Sequence, residues 1–164
     1  MAEAKVGKEF IKHEFDEAIA IQQAIVDAES ALARSHPFTA AKTAIKAAMR
    51  EDRTYLSQLQ KLGQEFEATG EVEDVAGGLL ALMQQTLQKA EAEGNDSDYY
   101  EAHAVLVNLK RKQQDSAGGM WKIGRSQKDD QVRDAGRDMM RAQKRASQGL
   151  ADELAAYAVV IAAG

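Results

Sequence analysis

Residues 98–127 read DYYEAHAVLVNLKRKQQDSAGGMWKIGRSQ, and their spacing decides the fold class. Tyr99, Ala102, Leu106, Leu109, Gln113, Ser116, Met120 and Ile123 recur at alternating steps of three and four. That period places them on one face of a helix, with Lys110, Arg111, Lys112 and Lys122 off it. Asp96, Ser97 and Asp98 offer N-cap oxygens, and Glu101, three residues after Asp98, completes a capping box. Gln113 interrupts the apolar stripe. A buried amide there needs partners on neighbouring helices.

The rest of the chain agrees. Its 164 residues make one domain with a substantial core, expected to span 1–164 with a loose N-terminus at 1–8. There is one proline, Pro37, and no stretch alternates in the manner of a strand. Aromatic residues are 5% of the chain, so the core is aliphatic and alanine-rich. The absence of cysteine excludes disulfides and thiol chemistry. The N-terminal MAEAKVGKEF lacks a signal peptide's apolar core, and the run Leu154–Ala163 is about half the roughly 20 residues of a spanning helix. A cytoplasmic protein with no membrane partner is expected.

Five helices are predicted. Helix 1 covers about Glu9–Arg34, with Ile11, Phe15, Ala18, Gln22, Ile25, Glu29 and Leu32 on one face, and ends before Pro37. Helix 2 runs from Thr39 to about Ala68, its inner face reading Ile45, Ala48, Asp52, Leu56, Leu59 and Phe66. Helix 3, about Val72–Glu93, shows a stripe of Val72, Val75, Leu79, Leu82, Thr86 and Ala90. Helix 5 starts near Asp129 and reaches about Ala162, with Val132, Ala135, Met139, Ala142, Ala146, Leu150 and Tyr157 inward and Gln143 beside them. Its pairs Asp130/Arg133, Asp134/Arg137 and Asp138/Arg141 read as a solvated outer face. Short links make two antiparallel hairpins, helices 1–2 and 4–5, with helix 3 in the crossover. Gly77-Gly78 and Gly118-Gly119 are expected to mark close helix approach or a kink.

On Glu29 in AIVDAESAL, on MREDRTYLSQL of helix 2 and on the two-hairpin layout, the chain resembles small bacterial stress-response proteins of the ferritin-like superfamily, over roughly residues 10–160. The resemblance implies a ferritin-like four-helix bundle of two antiparallel hairpins with an extra crossover helix. In metal-binding members two helices each give a carboxylate and two give Glu-x-x-His. This chain departs from that pattern. Thr54 stands three after Glu51, helix 4 offers Gln113 inward with Asp115 off the stripe, and helix 5 has Met139, Ala142 and Gln143.

The residues therefore predict an interior polar cluster of Glu29, Asp52, Gln113 and Gln143, with no catalytic or cofactor-binding residue and no metal favoured. The resulting expectation is a non-catalytic bundle with a structural, stress-associated or interaction role. The alternative is an atypical iron or manganese site around Glu29 and Asp52, drawing on Glu101 or Asp115. His13, His36 and His103 are too few for a hemerythrin-like site; His36 lies in the turn before Pro37, and His13 and His103 read as surface or packing residues.

Charge is uneven along the chain: −9 over residues 1–109, +6 over 110–145 and −2 in the tail. The expected cause is internal matching of acidic and basic helices. A face of Lys110, Arg111, Lys112, Arg125, Arg133, Arg137, Arg141 and Arg145 offered to an anion or nucleic acid is a further, unfavoured alternative. Finally, Leu154, Tyr157, Val159, Val160 and Ile161 cannot share one helix face. A terminal segment apolar on all sides calls for burial by a second subunit, most simply in a twofold homodimer.

Overall fold

The computed structural model describes residues 4–72 and 74–164, the side chains of residues 74 and 75 excepted. The expected Val75 of helix 3 and part of the N-terminal segment lie outside this set. Among the described residues the chain is all α-helical, with five α-helices: α1 Gly7–Ser35, α2 Thr39–Gly63, α3 Asp74–Glu93, α4 Asp96–Gln127 and α5 Asp130–Ala163. A 3-10 turn, Gln64–Phe66, follows α2.

Each boundary has a local cause. Helix α1 stops before Pro37, and His36 N–H closes it onto Leu32 O at 2.9 Å. Helix α4 begins two residues earlier than Asp98, because Asn95 is its N-cap and accepts from Asp98 N–H at 2.9 Å. Lys128 ends α4 in the left-handed region, φ 56°, and Asp129 caps α5 by accepting from Val132 N–H at 3.1 Å. Helix α2 ends at Gly63 rather than near Ala68. Asp16 of α1 explains the segment beyond it: its Oδ1 accepts from both Thr69 N–H at 2.7 Å and Gly70 N–H at 3.0 Å.

Helices α1, α2, α5 and α4 form a ring in which each packs on the next, and α3 lies outside it against α1 and α4. Cross-helix bonds give the directions. Asp16 meets Thr69 while Gln22 meets Asp52, so α1 and α2 are antiparallel; His103 meets Leu150 while Gln113 meets Met139, so α4 and α5 are too. Two apolar clusters fill the ring. One holds Ile21, Ile25, Leu32, Leu106 and Leu109 with the aromatic end at Tyr99 and Tyr157; the other holds Phe15, Leu59, Met120 and Met139.

Two expectations require correction, those on the face of α3 and on the glycine pairs. The stripe of α3 is rotated: Ala76, Met83 and Ala90, each seven apart, are buried, whereas Leu82 is 44% exposed. A helix outside the ring covers only a narrow strip, so one residue of rotation decides which leucine is wet. The close-approach glycines are not the adjacent pairs either. Gly78 and Gly119 have open space around them, whereas a Cβ at Gly124 would overlap the backbone of Arg133, and one at Gly136 would lie 2.5 Å from Trp121 N. These two glycines let α4 and α5 touch. The tail also divides: Tyr157 is buried under its own bundle, Leu154 and Ile161 are half-buried, and Val159 and Val160 are 70% and 53% exposed.

Candidate functional site: a buried lysine between two carboxylates

Glu29 comes from α1, Asp52 from α2, Lys110 from α4 and Gln143 from α5, and all four meet at the middle of the ring with side chains sealed from solvent. Lys110 Nζ lies 2.7 Å from Asp52 Oδ2 and 3.1 Å from Glu29 Oε2. Asp52 Oδ1 accepts from Gln143 Nε2 at 2.6 Å and from Gln22 Nε2 at 3.1 Å, and Gln22 Nε2 also reaches Asp52 O at 2.9 Å. Gln113 Nε2 donates to Gln22 Oε1 at 3.0 Å and to Ala18 O at 2.9 Å.

One ammonium and two carboxyls in a water-free interior cannot all be charged without leaving a net negative charge there, which a low dielectric penalises heavily. The two acids resolve this differently. Burial pushes Glu29 up to about 9, the attraction of Lys110 offsetting only part of that, and the neighbouring Asp52 charge pushes the same way. For Asp52, burial also acts upward, but Lys110, a hydrogen bond from Glu29 and the Gln143 amide outweigh it and hold the carboxyl below its ordinary range. At neutral pH Glu29 thus carries a proton beside an ionised Asp52. The group Lys110⁺–Asp52⁻–Glu29–H is neutral.

The predicted cluster residues Glu29, Asp52, Gln113 and Gln143 are all buried; Asp52, Gln113 and Gln143 are linked through Gln22 and Asp52, and Glu29 joins them through Lys110. Glu101 and Asp115 are exposed and are not brought to it. The spacing sets Lys110 with the outward basic residues, whereas the structure puts it at the centre. Its position four after Leu106 and three before Gln113 was the available signal. Among the described residues, no group of three or more His, Asp and Glu side chains is arranged to hold a metal ion. The space between the two carboxylates, where a hard cation would take its oxygen ligands, is filled by an ammonium that is part of the chain.

Part of the basic segment is matched internally, with Lys110 buried. Besides Lys110, Arg133 pairs with Asp130 at 3.0 Å and Asp134 at 2.9 Å, Arg137 with Asp134 and Asp138, and Lys112 with Glu17 at 2.6 Å. Asp138 therefore pairs with Arg137, not with the expected Arg141.

A second polar group occupies one end of the ring. His36 Nε2 and His103 Nδ1 are 3.0 Å apart, His103 Nε2 lies 2.8 Å from Leu150 O, and Phe38 N–H points at His36 Nδ1 at 3.0 Å. Both rings are buried. Burial lowers both histidines, His36 to about 4 with the proximity of His103 adding to it. His13, by contrast, is half-exposed beside Lys5 and Glu17. Among the described residues no helix is long and apolar enough to cross a membrane. Compared with known proteins, the chain matches no family model and no curated sequence.

Proposed function

We propose that this protein is a non-catalytic helical bundle with a structural, stress-associated or interaction role, ferritin-like in its two-hairpin layout, whose interior aspartate is neutralised by its own lysine and whose interior glutamate holds a proton. The observation that carries this reading is Lys110 Nζ, at 2.7 and 3.1 Å from the two carboxylates that a metal would have to use. A tethered ammonium supplies the positive charge at no loss of translational freedom, and Glu29 with its proton is a poor ligand. Further support comes from the sealed surroundings: Glu29, Lys110, Gln113 and Gln143 are each 0% exposed.

Metal analysis of protein expressed in medium rich in iron and manganese tests the reading. Substoichiometric metal, unchanged by Glu29→Ala, is expected. Near-stoichiometric iron or manganese that disappears in Glu29→Ala overturns it in favour of the atypical metal site.

As partner we propose a second copy of the chain, docked through the C-terminal third of α5. Val159 and Val160 stand exposed there, and no charged side chain follows Glu153.

A further inference from the structure

The hydrogen bonds around His36 and His103 fix every proton in the pair. Phe38 N–H can only donate, so His36 Nδ1 is bare and its proton is on Nε2. That N–H donates to His103 Nδ1, which leaves the His103 proton on Nε2, where it donates to Leu150 O. The chain begins in a fixed donor and ends in a fixed acceptor, and its two rings hold two protons. A third proton has nowhere to go. On His36 Nδ1 it would face Phe38 N–H; on His103 Nδ1 it would face His36 Nε2–H, and shifting the His36 proton to Nδ1 only moves the conflict to Phe38. Any protonation therefore sets two donors against each other inside an apolar cluster.

The pair joins three elements: the α1–α2 turn through His36, α4 through His103 and α5 through Leu150. Next to it, Tyr157 of α5 packs at 5.0 Å from the His36 ring and stacks on Phe38 at 5.2 Å, with its hydroxyl on Asp96 Oδ1 at 2.5 Å. The charged groups acting on His36 are Asp96 at the start of α4, which favours protonation and is already engaged by Tyr157, and Lys42 on α2, which opposes it. The other neighbours are the rings of Tyr99 and Tyr157.

We propose that the His36–His103 chain is an acid-sensitive latch: mild acid protonates it and frees the end of α5, residues 150–163, while the rest of the bundle stays folded. The restriction to one end follows from the other buried groups. Between about pH 6.5, the ordinary histidine value, and pH 4, Glu29 keeps its proton throughout and Asp52 stays ionised, so the central cluster takes up nothing. Asp16, which holds the far end through Thr69 and Gly70, is likewise held below the ordinary carboxylate range. A histidine lowered in the folded state contributes stability that is present above its unfolded value and lost as pH falls towards its folded one. Only the latch titrates in that interval among these three buried groups. What opens is a largely apolar segment carrying Tyr157, Val159 and Val160.

The test is residue-resolved amide exchange by NMR on the full chain at pH 7 and pH 4.5, corrected for intrinsic exchange, with the imidazole nitrogens followed in parallel. Both histidines should be neutral Nε2–H tautomers at pH 7. Exchange over 150–163 should then accelerate by at least about tenfold at pH 4.5, one pK unit's worth of coupling, while amides around Glu29 and Gln113 hold. His36→Gln/His103→Gln, which keeps polar groups but no titration, should remove the acceleration. Unchanged protection at 150–163, acceleration of all helices together, or an acceleration that survives in the double variant each overturns the latch. If the double variant does not fold, the first two outcomes on the natural chain still decide it.

Discussion

Lys110 and Asp52 meet at 2.7 Å, from helices diagonally opposite in the ring, with essentially none of either side chain open to water. Removing the cation alone strands the anion. Lys110→Met should destabilise the fold by about 3–5 kcal/mol, the usual penalty for breaking a buried pair. Adding Asp52→Asn should recover a large part of it, since the stranded charge is then gone. Urea unfolding of the single and double variants measures both; a Lys110→Met loss under about 1 kcal/mol would mean that Asp52 is solvated.

Glu29 makes stability fall with rising pH. Its folded value of about 9 exceeds the 4.5 of a free glutamate, so the folded chain holds a proton that the unfolded chain has released. The associated stability is fully present below pH 4.5 and is lost progressively as pH rises to 9. Glu29→Gln, which keeps shape and a donor but cannot ionise, should flatten this slope between pH 5 and pH 9. Unfolding midpoints across that range would show it, and parallel curves for the two proteins would refute it.

Glycines on α4 and α5 should respond in opposite directions. Gly136→Ala pushes a methyl against Trp121 N and Ala117 O, both backbone, so the helices must separate. A loss of about 2 kcal/mol or more is expected, in the range of core overpacking. Gly119→Ala, exposed, helical and with open space around it, should stabilise by about 0.5–1 kcal/mol. Thermal unfolding of the two variants distinguishes them directly.

Association is expected through the end of α5. The full chain should scatter light as a dimer at neutral pH, and Val159→Asp should shift it towards monomer without loss of helix. A monomer at high micromolar concentration would mean that exposed Val159 and Val160 are tolerated by a free surface.

Much of the architecture was legible because it is local. The three–four spacing, Pro37 and the polar turn EGNDSD place five helices, with most bounds within about two residues. Gln113 and Asp52 were legible as polar interruptions of apolar stripes. Lys110 is harder to read: it only flanks the stripe beside Leu106 and Gln113, and α4, touching α1, α3 and α5, buries an arc much wider than one stripe. The number of neighbours a helix has is not written in its own period. The His36–His103 contact spans 67 residues and depends on how the helix ends meet. Gly136 was hidden for the same reason, since a close approach is a property of two helices and the sequence shows only one at a time.

The central cluster also reports on alignment along the bundle axis. Lys110 finds its carboxylates only when α1 and α4 are in their native offset. A slide of one turn, about 5.4 Å, would set the ammonium beside Ile25 or Ala33 rather than Glu29, an ion among hydrocarbon with nothing to answer it. Apolar stripes of isoleucine, leucine and alanine tolerate such sliding far better, because one methyl resembles another. The buried lysine thus makes misaligned packings of these long helices unfavourable, so that an alanine-rich core settles on a single arrangement.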